Sequence, residues 1–378
     1  MTKNYNAILT LATVSLFLVS CVKQEAKTNT TTISAVAQQQ NSEVVINRFI
    51  NSRYEFLQSD AKEINLTSYF ETANLATTLA SEYDLEKQNL LACKIKYTAH
   101  TTKLVAKTIT KNDDGSETLA IEETTHLTTN QVSAYSGKTI TSVKQQLYSI
   151  TVSVKNNEYK ITALIDIDKQ TMNNKRVAAD AETLSKEDIN EIKEVSNSLS
   201  KVAAYSKPNA AAYAVLYGIA PNPVYQDFSP GMCSYCGGDC TSFISQCILS
   251  GGWAPIYKKA SSAAAWWYGK NTNPVGYRTG FAGVWPSASK FGVLLKSLTT
   301  RVTRVYNLNT LVVGDLGQLV SPNGNAHHSF IVSDKDRSGN LYFTCHTYNR
   351  INTPQSTWFN ATTNYSGITP DAFLWQMK

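Results

Sequence analysis

The chain has 378 residues, 42% of them apolar and 17% charged, with a formal net charge of +6. That length leaves room for two globular domains. Both signs of charge are spread along it and no basic stripe carries interleaved aromatics, which argues against a nucleic-acid partner.

Residues 1–20 read as an address rather than as fold. Lys3 gives a weakly basic start, and residues 7–19 form an apolar run too short to span a bilayer. The run ends in Leu18-Val19-Ser20-Cys21, which resembles a bacterial lipobox. That resemblance implies cleavage before Cys21, lipidation of its thiol, and a lipoprotein of the cell envelope with the membrane as a partner through the lipid. No later segment is apolar enough to span a bilayer. Residues 21–41 are rich in Thr, Gln, Asn and Ala and read as a flexible tether.

Ser42 can cap a helix over 43–58, with Val45, Phe49 and Phe56 on one side and Ile46, Ile50 and Leu57 beside them. A second helix is expected over about 68–86. The pattern then changes to period two. Residues 94–111 and 117–129 are joined by Asp113-Asp114-Gly115, and 139–155 and 158–166 by Asn156-Asn157. Two helices and four antiparallel strands predict a small α+β domain over 42–168, in a layout that resembles the cystatin-like or NTF2-like cone. His100, His126, Cys93 and the acid pairs of this region form no chemical constellation. The domain reads as a spacer or as a surface for protein docking or dimerisation. Residues 169–202 are polar and read as a linker.

The second domain is expected over 203–378, where all six tryptophans lie. Residues 209–217 form a short predicted helix, with Pro208 at an early position. Gly237-Gly238-Asp239-Cys240 is a tight turn that opens a helix over 241–249, with Phe243, Ile244, Cys247 and Ile248 inward. A thiol at a helix N-terminus lies in partial positive charge, which favours the thiolate. Asp239 and Thr241 can satisfy the open amides of that helix start, and the amide of Cys240 can donate to an oxyanion. Gln246, almost two turns along, suits structural hydrogen bonding better. Later, His327-His328-Ser329-Phe330-Ile331-Val332 leads a histidine into an apolar strand. Such an imidazole can take a thiol's proton and return it. Neighbours on a strand point to opposite faces, so only one of His327 and His328 can face Cys240. Gly339-Asn340 turns the chain into an antiparallel partner, whose His346 or Asn349 would orient the imidazole.

In order and spacing these segments resemble the family described as "Putative amidase domain", bacterial cysteine hydrolases related to the NlpC/P60 and CHAP groups. The resemblance runs through most of 205–350. Its residues include Asn209, Ala211-Ala212-Tyr213-Ala214, Tyr217, Asn222-Pro223, Tyr225, Gly238-Asp239-Cys240-Thr241, Ser245-Gln246-Cys247 and Gly251-Gly252. Trp285, Gly314-Asp315-Leu316 and His328-Ser329-Phe330-Ile331-Val332 complete it. It implies an α+β, papain-like core with a helix-borne cysteine and an antiparallel sheet. Cys240 would be the nucleophile, His328 the base, and His346 the third member ahead of Asn349. No cofactor is called for. With the leader, it implies peptidoglycan as substrate, cut at the muramoyl–alanine amide or within the stem peptide. The alternatives are a secreted peptidase or deamidase acting on proteins, and a non-catalytic wall-binding lipoprotein.

Cys233-x-x-Cys236 departs from the family pattern. With Cys240 and Cys247 it could hold a metal through thiolates, but a second paired motif is missing and ligation would consume the nucleophile. No metal is therefore expected. A Cys233–Cys236 disulfide, or bridges to Cys247 or Cys345, suits an exported protein better.

Overall fold

The computed structural model describes residues 30–170, 190, 191, 194, 204–229, 238–270, 279–347, 349–358 and 372–378. The expected signal peptide with Cys21, and Cys233 and Cys236, lie outside the described residues, as does most of the expected linker. The chain divides into two compact units, residues 1–41 and 42–378.

Of the first unit, the described residues are the opening turns of helix α1 (Thr30–Gln58). The helix thus starts at Thr30, inside the stretch expected to be a tether. Once a helix is nucleated, each added residue costs little, and Ala35, Ala37 and three glutamines are good propagators.

In the second unit α1 buries Ile46, Phe49, Ile50, Tyr54 and Leu57, the spacing of one helical face. Helix α2 (Ala73–Ala92) buries Ala76, Leu79, Tyr83 and Leu90. It runs past the expected 86 because its stop is conformational. Lys94 adopts φ 58°, and the amides of Lys94 and Ile95 return to the carbonyls of Leu91 and Leu90, each at 2.9 Å. This is a Schellman closure built without glycine.

Strands β1 (Tyr97–Lys111) and β2 (Glu117–Val132) pair antiparallel, as do β3 (Thr139–Lys155) and β4 (Glu158–Asp166). Both expected turns are present. Gly115 takes φ 82°, and Asn156 and Asn157 take 53° and 62°, the double left-handed form that matches strand twist. The inner sheet face packs against the two helices in one core with Leu119, Ile121, Ile150 and Val152.

The second half begins with α3 (Lys207–Tyr217) and α4 (Cys240–Ser250). A small ribbon, β5 (Tyr268–Lys270) with β6 (Thr279–Phe281), precedes α5 (Ala288–Ser297). Then come β7 (Val302–Val305), β8 (Leu316–Val320), β9 (Ala326–Lys335), β10 (Leu341–Cys345), β11 (Arg350–Pro354) and β12 (Ala372–Met377). One ten-stranded sheet contains both halves, in the order β1-β2-β3-β11-β10-β9-β8-β12-β7, with β4 also on β3. All its strand pairs are antiparallel. The two expected domains therefore meet along a shared ladder, where Lys144 pairs with Arg350 and Val143 with Ile351. Side chains extend that seam: Ser133 Oγ donates to Asp334 at 2.7 Å, and Asn340 Nδ2 to the Cys93 carbonyl at 3.0 Å. Two faces of the second-half sheet carry separate cores. Phe243, Ile244, Trp285 and Phe291 cover one face with Ile331, and Leu311, Phe330, Val332 and Phe343 form the other. Among the described residues no helix is long and apolar enough to cross a membrane.

Candidate active site

Helix α4 is sunk into the protein: every residue from Cys240 to Ile248 is buried. Its Phe243, Ile244, Cys247 and Ile248 are fully covered, as the sequence pattern requires. The turn before it depends on Gly238 at φ 138°, a conformation that disfavours a side chain. Cys240 is the first helical residue and is 4% exposed.

The helix start is not capped as expected. Asp239 occupies the N-cap position, yet its side chain accepts no bond from the first-turn amides. Its carboxylate instead meets His346 Nδ1 at 2.7 Å, and its own amide donates to Thr347 Oγ1 at 2.9 Å. Thr241 is diverted too, sharing a 2.9 Å hydrogen bond with Ser329 Oγ on β9. The first backbone bond within the helix runs from Phe243 N to Asp239 O. The amides ahead of it point outward from the positive end of the helix with no cap side chain upon them.

His346 is 1% exposed and stacks on Phe243, with ring centroids 3.9 Å apart. It was expected to orient His328, but both its nitrogens are occupied elsewhere. Nδ1 meets Asp239, and Nε2 lies 2.7 Å from the carbonyl of Tyr217. A carbonyl only accepts, so Nε2 carries a hydrogen. Tyr217 is the last residue of α3 and Asp239 the N-cap of α4. Next to His346, Thr347 adopts φ 76°, a strained conformation for a β-branched residue. Asn349, the alternative third member, is a seam residue: its Nδ2 donates to Gln145 Oε1 at 2.7 Å.

His328 is fully buried on β9, its ring 5.7 Å from that of Trp358. Trp358 also touches Phe330 and Phe343, which defines the sheet face that His328 shares. His327 is half-buried, with Ser321 Oγ 3.3 Å from its Nδ1. Cys345, at the end of β10, packs in the same core as Phe330. Burial pushes its thiol up, although Arg350 opposes the shift. Cys247 is inert by the same physics, since burial holds its thiol well above the ordinary range. On β9 His328 alternates with Ser329, which meets Thr241 of α4, so the expected base turns to the sheet face away from that helix and is not brought to Cys240.

None of Cys93, Cys240, Cys247 and Cys345 forms a disulfide, so the expected bridges to Cys247 or Cys345 are not made. Cys93, Cys247 and Cys345 lie in three separate cores. Among the described residues no group of three or more histidine, cysteine or acidic side chains could hold a metal ion. Gln246 accepts from the Tyr213 hydroxyl at 2.9 Å and donates to Ser242 at 3.2 Å, a structural role. Asp315 of the Gly-Asp motif is also structural: it takes Lys207 Nζ at 2.8 Å and the Met377 amide at 2.9 Å. The sequence carried Asp239 and His346 separately, and nothing in their spacing revealed that they pair. The hydroxyl pair Thr241–Ser329 was equally hidden.

A large antiparallel sheet with helices packed on it defines a mixed α and β protein. Residues 204–368 match the model of the family described as "Putative amidase domain". That match supports an amidase-like, amide-hydrolysing function. The chain is also similar to the "Uncharacterized protein YhbB" of Bacillus subtilis (strain 168), at 27% identity over 163 residues. The similarity covers 43% of this chain and 47% of that protein, about half the length of each. No solved structure matches the chain.

Proposed function

We propose that this chain is a cysteine-dependent hydrolase of peptidoglycan amide bonds, exported and held at a membrane by lipid on Cys21. The observation that carries the reading is the start of α4: a buried cysteine whose neighbouring amides no cap side chain occupies, braced by the Asp239–His346 pair. The Cys240 thiolate attacks the carbonyl carbon, and first-turn amides hold the oxyanion. The base is the β9 histidine on the sheet face that α4 covers; His327 and Ser329, two apart, share that face, so His327 receives the thiol proton and delivers it to the leaving amine. Water then cleaves the thioester and releases the acid. Asp239 and His346 act on the reaction by fixing where the helix begins.

The test is digestion of purified sacculi, and of casein, by wild type and Cys240→Ala, followed by identification of new chain ends. Wild type should release new ends from sacculi and Cys240→Ala none. Muramoyl-linked ends indicate the amidase cut, and free stem-peptide ends the endopeptidase cut. Equal products from both proteins would refute cysteine catalysis, and cleavage of casein alone would refute the substrate. His327→Ala should abolish turnover where His328→Ala reduces it less than tenfold; the reverse ranking would transfer the role of base to His328.

A further inference from the structure

Behind Cys240 a run of hydrogen-bonding side chains crosses from helix to sheet. Thr241 Oγ1 lies 3.7 Å from Cys240 Sγ and 2.9 Å from Ser329 Oγ on β9. Ser329 Oγ accepts in turn from Gln318 Nε2 on β8, at 3.1 Å. All four side chains are buried, Thr241 and Ser329 completely. Buried polar groups need partners, which fixes where each hydrogen goes.

Gln318 sets the direction. Its Nε2 also lies 2.9 Å from the carbonyl of Ala288, the first residue of α5. A carbonyl only accepts, so the nitrogen of the amide faces it and not the oxygen. Both amide hydrogens are thus used, one on Ala288 and one on Ser329, while Oε1 stays unpaired. Gly292 on α5 leaves room for that oxygen, since a Cβ there would come within 2.8 Å of it. Nε2 can only donate, so Ser329 Oγ accepts from it and keeps its own hydrogen for Thr241 Oγ1. The reverse order would leave the Ser329 hydrogen without an acceptor in a dry interior. Thr241 has one hydrogen left, and Cys240 Sγ is the acceptor within its reach. Each hydrogen in the row therefore points toward the sulfur.

We propose that Gln318, Ser329 and Thr241 form a one-way chain of hydrogen bonds that donates to the Cys240 sulfur and favours its thiolate. The inference rests on the reading of Cys240 as nucleophile given above. Thr241 touches the sulfur itself; Ser329 and Gln318 act through it and are positioning residues. A hydrogen bond donated to the charged form stabilises that form, and each bond in a row polarises the next. The chain also ties the first turn of α4 to the face of β9 that carries His327, two residues before Ser329.

The test follows alkylation of Cys240 by iodoacetamide in the full chain from pH 5 to 10, read by mass at that residue with Cys240→Ala as the blank. Thr241→Val keeps the shape of the side chain and removes the last donor. The pH of half-maximal alkylation should rise by about one unit, the roughly tenfold loss of thiolate expected when a hydrogen bond to a charged group is removed. Thr241→Ser restores the hydroxyl and should return the profile to that of wild type. Gln318→Met leaves Thr241 in place but frees the chain to reverse, and should raise the midpoint by less; it carries the readout if Thr241→Val fails to fold. The variants leave Asp239, His346, His327 and Cys345 unaltered, so a shift reports the chain alone. An unchanged midpoint in the folded variants, a Thr241→Ser midpoint displaced as far as that of Thr241→Val, or a lower midpoint in Gln318→Met would each overturn the proposal. Wild type that leaves sacculi intact while the midpoints move as expected would refute the hydrolase reading and leave the chain standing.

Discussion

Replacing Glu86 by Gln tests the buried charge cluster in the first half of the molecule. Glu86 lies between Arg53 at 2.8 Å and Lys144 at 2.7 Å, and the Lys144 side chain is only 2% exposed. Burial alone would raise the Glu86 carboxyl, but Lys144 and Arg53 outweigh it and hold the group well below the usual carboxylate range. The Gln side chain keeps the volume and removes the charge, leaving two desolvated cations facing each other. Breaking a buried pair this way costs about 3–5 kcal/mol, a large share of the roughly 5–15 kcal/mol that holds a domain together. The cost must depend on pH. Burial holds Lys144 down at about 8, against 10.5 when unperturbed, even with Glu86 opposing that shift. The unfolded chain binds more protons between those values, so stability rises with pH through that window. Without Glu86 the folded value falls further, and the variant starts gaining stability at lower pH than wild type. The deficit should therefore shrink as pH rises toward about 8 and stay level above it. Urea unfolding from pH 6 to 9 measures this. Glu86→Gln combined with Lys144→Met should cost less than Glu86→Gln alone, since one stranded cation is gone. A deficit below about 1 kcal/mol, or one indifferent to both pH and Lys144→Met, would refute the reasoning.

Asp239→Asn removes the charge from the pair with His346 and should destabilise the chain by about 1.5–3 kcal/mol in urea unfolding. It should lower kcat on sacculi more than it raises KM, because it disturbs where Cys240 is held rather than where substrate binds; an unchanged kcat would separate the pair from the site. Asp168 is held up at about 7 by burial, against 3.8 when unperturbed. The folded state thus binds its proton more tightly, and stability falls as pH rises from about 4 to 7. Asp168→Asn, whose side-chain oxygen can still accept from the Leu147 amide, should abolish on the order of 1–3 kcal/mol of that decline, read from unfolding midpoints at pH 4.5 and 7.5. Parallel pH profiles for the two proteins would contradict that assignment.

Local interactions made much of this protein legible in one dimension. The alternation in β1 to β4, the Asp-Asp-Gly and Asn-Asn turns, and the apolar stripe of α4 each depend on residues a few positions apart, so pattern alone located them. The cysteine at the start of a helix and the histidines at the start of a strand were legible for the same reason. Features that depend on distant residues were not. The seam between β3 and β11 joins Val143 to Ile351, and strand edges carry no sequence code for their partner because backbone groups do the pairing. Asp239 and His346 are far apart in the chain, and only the meeting of two helix ends made them a pair and took Asp239 from its expected cap. Lys144 on β3 was visible as a letter, but it gained meaning only once burial removed water and left it matched to Glu86. Sequence by itself determined the elements and the chemistry they carry. Tertiary structure decided which charges meet, because desolvation and pairing are properties of the space between elements.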